Sequence, residues 1–445
     1  MEKEKQDGVI SRRRGLTALS PLLLMIVLFV GLSLYFDDFY KVPLLIVFIV
    51  TSGFALLTLK GKNFERRLTL FSKGAGDSNL LLMVWIFVLA GAFASSAKAM
   101  GAINETVNLT LLCMPASMLL PGLFLASCFI SLSIGTSVGT VVALVPVAAG
   151  LASQTGLSLP LTVASAVGGA FFGDNLSFIS DTTVVATRTQ GCRMRDKFRT
   201  NFLIALPAAV ATFAIYVFIG LGPQSVAQVS GVNLWKVLPY VFVLVSAILG
   251  MNVLLVLICG VALTGVVGVA CGSYDLAGWF ASVSQGIESM AELILISMMA
   301  GGLLGVVREN GGIAWLLQVL TRRVNGRRGA ELSIAALVSL TNVCTANNTV
   351  AILSVGTLAK DISKRFGVDP RKAASILDTF SCCVQGVIPY GAQLLMASGL
   401  AAISPTAIIP YLFYPVLLGL AALVAILFNF PRLKPSASGT DKTGE

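Results

Sequence analysis

The chain contains no histidine. That absence excludes imidazole proton relays, zinc-hydrolase motifs and Ser-His catalysis in one step. Charge is scarce as well, with Asp, Glu, Lys and Arg making up 12% of 445 residues against 56% hydrophobic. No G-x-x-x-x-G-K-[ST] run is present, so direct ATP coupling within this chain is excluded. The eight cysteines form no C-x-x-C pair and fall mostly in apolar segments, at 113, 128, 192, 259, 271, 344, 382 and 383. They read as small buried hydrophobes, neither disulfides nor metal ligands.

What remains is a succession of apolar runs of about 20 residues, the mark of an integral α-helical membrane protein. The net charge of +10 does not point to nucleic acid. Its basic residues sit in short loops between apolar runs, which fits orientation in a bilayer. Arg12, Arg13 and Arg14 precede an apolar run from Leu16 to Phe36, as in a signal peptide. That run has no small-residue cleavage site, so it reads as a retained first helix after a tail of residues 1–15.

The candidate spans are 16–36, 42–59, 79–97, 110–150, 160–187, 201–221, 235–250, 252–271, 287–307, 329–359, 373–400 and 406–430. Lys and Arg concentrate in Arg12–Arg14, Lys60–Lys73, Arg188–Arg199, Arg308–Arg328, Lys360–Lys372 and Arg432–Lys434, while the intervening loops hold few or none. The two sets alternate consistently only if 110–150 and 329–359 enter and return as re-entrant hairpins. Ten crossings and two hairpins then leave both termini in the cytoplasm, with a tail of residues 431–445.

An internal repeat points the same way. Ala90, Gly91, Lys98, Gly101 and Ile103 match Ala300, Gly301, Arg308, Gly311 and Ile313. Thr136, Thr140 and Val141 match Thr345, Thr349 and Val350, and Pro160, Ala164 and Ser165 match Pro370, Ala374 and Ser375. The units are 16–221, with its hairpin at 110–150 and a broken helix at 160–187, and 222–430, with its hairpin at 329–359 and a broken helix at 373–400. Five crossings per unit is an odd number, so the second copy is expected to be inverted, the plan of a secondary transporter with its site near the midplane. Chance matches in a Gly/Ala-rich chain are the competing explanation.

The polar residues inside these spans are the candidates for function. In Gly173-Asp174-Asn175-Leu176-Ser177-Phe178-Ile179-Ser180-Asp181-Thr182-Thr183, a rise of ~1.5 Å per residue from Pro160 puts Asp174 about 21 Å into a ~30 Å hydrocarbon layer. A charge there costs roughly 3 kcal/mol or more, so it marks a functional site by default. Ser, Thr and Asn loosen helical hydrogen bonding, so the segment is expected to unwind and turn carbonyls toward a small cation.

The first hairpin tip carries Thr136, Ser137 and Thr140, the second Asn342, Thr345, Asn347, Asn348 and Thr349. Such small polar residues also serve to pack helices together. The second broken helix carries Gln385, Pro389 and Gln393, with Asp378 two turns earlier. Glu292 is a candidate proton carrier, with a structural ion pair as the alternative.

The run G-D-N-L-S-F-I-S-D-T-T at 173–183, G-T-S-V-G-T at 135–140 and T-N-V-C-T-A-N-N-T at 341–349 resemble the NhaC family of sodium/proton antiporters in the wider ion transporter superfamily. The resemblance covers about 16–430. The family pattern often reads G-D-K-L-S-P-L-S-D-T-T, so Asn175 stands in place of a Lys and Phe178 in place of a Pro. The resemblance implies a bacterial inner-membrane exchanger driven by the proton gradient. It also implies an elevator-like movement, transported Na⁺ and H⁺ with no bound cofactor, and an architecture that commonly forms a homodimer.

A carboxylate desolvated among apolar helices favours its proton- or cation-neutralised state. Near neutral pH, Asp174 is therefore expected to hold either H⁺ or Na⁺. Asn175, Ser177, Ser180, Asp181, Thr182 and hairpin oxygens are expected to complete the shell, with Asp174 and Asp181 as the Na⁺ carboxylates. The alternative is a Na⁺- or H⁺-coupled carrier of an organic anion or amino acid, such as a malate/lactate exchanger. An intramembrane enzyme is disfavoured, because paired Ser/Lys and H-E-x-x-H chemistry are missing.

Overall fold

A computed structural model describes residues 11–35, 44–178, 180–222, 231–321 and 326–431. Residues 1–10, 36–43, 223–230, 322–325 and 432–445, and Ile179 of the polar run, lie outside the described residues. Among the described residues the chain is helical, with no strand. In order it runs α1 (Arg12–Tyr35), α2 (Leu44–Thr58), α3 (Phe64–Ala75), α4 (Ser78–Ala99), α5 (Ala102–Cys113), α6 (Leu119–Ile134), α7 (Ser137–Thr155), α8 (Leu159–Leu176), α9 (Asp181–Gln190) and α10 (Met194–Gly220). It continues with α11 (Leu234–Ile248), α12 (Val253–Ala270), α13 (Leu276–Ser289), α14 (Ala291–Glu309), α15 (Gly312–Thr321), α16 (Gly326–Thr345), α17 (Asn348–Phe366), α18 (Pro370–Gln385), α19 (Ala392–Ala401), α20 (Pro405–Ile408) and α21 (Phe413–Leu427).

Five described stretches have the length and hydropathy to cross a membrane: Leu80–Ala99, Ser137–Thr155, Met194–Gly220, Val253–Ala270 and Leu276–Glu309. A sixth is added if α19 and residues 405–411, bent by 100° to each other, count as one. The sequence predicts ten because it also counts apolar runs whose helices are shorter than a full span, among them α2, α11 and α21. The expected hairpin 110–150 turns at residues 135–136, and the expected broken helix 160–187 has α8 ending at Leu176 and α9 beginning at Asp181. Four segments expected as loops contain helices instead, α3, α5, α13 and α15. Two of these are started by polar caps that also read as loop residues: Asn63 accepts from Arg66 N at 3.1 Å and Asp275 from Gly278 N at 2.8 Å.

The packing pairs helices in a regular way. α3 lies along α14 and α4 along α13, while α17 packs on α9 and α7 on α19. At two crossings the backbones touch. A Cβ on Gly74 or Gly301 would strike the peptide oxygen of the other, and the same holds for Gly91 and Gly286. Left-handed residues lie at Gly135 and Ala346, Gly156 and Gly367, and Gly191 and Ala402, each pair 211 positions apart. The sequence pairs Thr136 with Thr345 at an offset of 209. At an offset of 211, Ser137 pairs with Asn348.

Candidate functional site

α8 is able to carry a carboxylate into the interior because its Gly/Ala-rich face lets it lie against α6 at backbone distance. A Cβ on Gly169 would meet Phe124 O, and one on Gly173 would meet the main chain at Ser131 and Leu132. The contact is stitched by hydroxyls: Ser127 donates to Ala166 O, and Ser131 donates to Ala170 O at 2.6 Å. In the second half of the chain, Asn342 donates to Ser381 O at 2.8 Å across the same type of contact. α8 then stops. Ser177 donates to Leu132 O at 3.0 Å, and Ser177 and Ser180 both have extended backbone before α9 begins.

Asp174 sits just before this break and is 5% exposed. Ser180 Oγ donates to its Oδ1 at 2.6 Å, and Ser137 Oγ donates to its Oδ2 at 2.9 Å. Asn348 Nδ2 reaches the same Oδ2 at 3.4 Å. The first residues of α7 and α17, one from each predicted hairpin tip, thus meet on one carboxylate oxygen. Thr182 shares a hydrogen bond with Ser180 at 2.8 Å, and Gln393 Nε2 donates to Ser137 Oγ at 2.8 Å. Gln385 Nε2 donates to Gln393 Oε1 at 3.1 Å and to Ala346 O at 3.0 Å, holding the second turn against α18.

The remaining predicted residues divide. Thr140 donates to Thr136 O at 3.0 Å, Asn347 caps α17 by accepting from Val350 N at 3.0 Å, and Thr345 donates to Asn347 O at 3.1 Å. These bonds, with Thr349 in the first turn of α17, shape the turns around Asp174. Asp181 is not brought to Asp174; it is the first residue of α9 and its side chain is exposed. The helix N-terminus favours a carboxylate there without any bound cation. Glu292 lies exposed in the first turn of α14, outside the cluster. Among the described residues no three His, Cys, Asp or Glu side chains form a metal-holding group.

Asp378 is a further buried carboxylate, as is Glu331, which pairs with Lys372 at 2.9 Å away from Asp174. The partner of Asp378, Lys197, is a residue that sequence reasoning missed. The pair is 1% and 0% exposed at the side chains. Lys197 also donates to Asn175 O at 2.7 Å and to Thr183 Oγ1 at 2.9 Å. Asn201, one turn on, donates from Nδ2 to Asn175 O and Oδ1, both at 3.1 Å. The signal that would have found both is periodicity, since Lys197, Asn201, Ala205, Ala208 and Thr212 form one buried stripe of α10.

Beside the second turn lies a cavity of about 150 Å³ whose walls include Ser297, Arg308, Thr345, Asn347 and Tyr390. Ser297 Oγ is buried there without a hydrogen-bond partner.

The sequence model of a family described as the Na+/H+ antiporter family matches residues 16–221 and 224–430. Among curated proteins, the chain is 21% identical over 452 residues to a malate-2H(+)/Na(+)-lactate antiporter of Bacillus subtilis, covering 93% of this chain and 96% of that protein. It is 27% identical over 330 residues to the Na(+)/H(+) antiporter NhaC of Alkalihalophilus pseudofirmus, covering 66% and 69%. It is 24% identical over 394 residues to the NhaC of Bacillus subtilis, covering 80% and 84%.

Proposed function

Because the chain belongs to the Na+/H+ antiporter family, we propose that it exchanges Na⁺ for H⁺ and that the two replace one another at Asp174. The observation that carries this reading is the convergence of two helix turns on a single buried carboxylate, with Ser137 and Asn348 on one oxygen and Ser180 on the other. A charge in that setting is neutralised before it passes through hydrocarbon, either by a proton or by a coordinated Na⁺. The hydroxyls of Ser137, Ser180 and Thr182 serve both states, because a hydroxyl donates to a carboxylate and also offers lone pairs to a cation. Exchange follows if the empty, charged site cannot cross. The event is translocation, with no covalent step.

The test is proton movement in proteoliposomes given a NaCl gradient and no organic solute. Collapse of a preset pH gradient on adding NaCl is expected. Silence without an organic acid, followed by activity with one, would replace this reading by its alternative, a coupled organic-anion carrier. The cavity with Arg308 at its wall beside the second turn is the feature that favours that alternative.

The membrane arrangement is part of the proposal. A duplicated chain is supported by the family match falling in two segments, while ten crossings, two re-entrant turns, an inverted second copy and cytoplasmic termini rest on the alternation of basic and base-poor loops. The reciprocal packing of α3 on α14 and α4 on α13 supports the duplication as well. Single cysteines at positions 155 and 195 should then label from opposite faces of the membrane; labelling from one face would remove this arrangement.

A further inference from the structure

Lys197 is not used by the mechanism above, yet it is buried in a cage of three oxygens. An ammonium has three N–H donors. Three oxygens of different chemistry receive them: the Asn175 carbonyl, the Thr183 hydroxyl and the Asp378 carboxylate. Carbonyl, hydroxyl and carboxylate oxygens are also what transporters present to Na⁺ where a helix is broken. The Asn175 carbonyl belongs to the last turn of α8, where carbonyls lack helical partners and the negative end of the helix dipole favours a cation. The cage does not depend on Lys197 for its shape. Asn201 grips Asn175 at two atoms, and Ser375 and Thr379 hold Asn201 Oδ1 in turn, the latter at 3.3 Å.

We infer that this cage is a second cation site, permanently filled by the protein's own Lys197 ammonium, and that the tethered cation holds the Na⁺ taken per transport cycle to one. The inference rests on the reading of Asp174 given above and adds the count. Asp174 and Asp378 are the carboxylates of the buried cluster and Lys197 its ammonium, with the Cys382 thiol directed at Asp378 Oδ1 at 3.9 Å. With the ammonium in place Asp378 is already compensated, and one further positive charge, H⁺ or Na⁺, brings the cluster to neutrality. Without it two carboxylates are left in a desolvated space, and an oxygen cage next to Asp378 stands open to a second Na⁺.

The experiment measures equilibrium binding of radioactive Na⁺, and the Na⁺ dependence of exchange, on the full chain in lipid nanodiscs and proteoliposomes. Wild type is expected to bind one Na⁺ per chain with a Hill coefficient near one. K197M should bind two, with the Hill coefficient rising toward two, and K197M/D378N, which removes both charges of the pair, should return to one. A K197M protein that still binds a single Na⁺ with an unchanged Hill coefficient overturns the inference.

Should K197M fold only in high Na⁺, that dependence is itself the expected sign of a cation filling the vacated cage. Should it not fold at all, the double variant decides alone. Wild-type-like exchange of one Na⁺ supports the inference, and loss of Na⁺ binding overturns it. Wild type that binds no Na⁺ overturns both readings. If D174N binds Na⁺ as wild type does, the reading of Asp174 has failed, and the gain or absence of one bound Na⁺ in K197M over wild type still decides this one.

Discussion

Asp174→Asn is expected to lower Na⁺-driven proton movement by at least about 100-fold in everted vesicles, with the protein still folded and inserted. The substitution is nearly isosteric. The amide oxygen still accepts from Ser180, and the Ser137 hydroxyl, which already accepts from Gln393 Nε2, is able to accept from the new NH₂ as well. What disappears is the one uncompensated negative charge of the buried cluster. A single Na⁺ held only by neutral oxygens loses its charge-assisted contact, and two factors of ten at ~1.4 kcal/mol each are a modest figure for that loss. The proton is lost as well, because an amide does not titrate. Dequenching of a pH-sensitive dye after NaCl addition measures the effect, and a signal within tenfold of wild type would refute the assignment. Asp181→Asn is the informative companion. The sequence gives Asp181 the same standing as Asp174, whereas the structure leaves it exposed at the start of α9. Its substitution should change exchange by less than about twofold, since a surface carboxylate at a helix N-terminus contributes roughly 0.3–1 kcal/mol. A loss matching that of Asp174→Asn would restore Asp181 to the site.

Gly173→Val is expected to be more damaging to the protein than to any single contact. The first atom of the new side chain would enter the space of the α6 main chain at Ser131 and Leu132, and no rotamer of either residue relieves a backbone clash. To make room, α6 has to move off α8, which breaks the Ser131 bond to Ala170 O and the Ser177 bond to Leu132 O. Overpacking of this kind costs about 3 kcal/mol or more when the obstacle is main chain. In a detergent melting assay the variant should lose most of its monodisperse, folded fraction, with Gly173→Ala intermediate. A Gly173→Ala protein that melts within about a degree of wild type would mean that α6 yields at this point. The first turn, at residues 135–136, follows directly from the end of α6, so any shift that does not unfold the chain displaces Ser137 from Asp174.

The all-helical class was legible from composition. The polar core was partly legible, because oxygen-bearing side chains inside apolar runs have few purposes. That reasoning reaches Asp174 and also Ser137, Ser180 and Asn348, each of which the fold brings within hydrogen-bonding distance of Asp174. It misses Lys197, since a lysine in Arg188–Arg199 reads as one more basic loop residue until α10 is seen to begin at Met194. It pairs the two turns at an offset of 209, whereas their left-handed residues lie 211 apart. The left-handed position is glycine in one half, Gly135, and alanine in the other, Ala346. Backbone conformation is shared there, residue identity is not, and matching threonines two positions away draw the comparison off. The missed helices α3 and α13 carry polar residues where a loop was expected, because each lies on α14 or α4 with one side only.

The glycine crossings between α3 and α14 and between α4 and α13 have a mechanical meaning. Where a peptide oxygen of one helix rests on a glycine of the next, the main chains set the spacing and the side chains of Leu80, Met290 and Ser95 crowd the same points, so sliding has to move all of them together. These two seams behave as rivets, and a distance measured across either of them supplies the constant ruler against which displacement of the two polar turns is gauged.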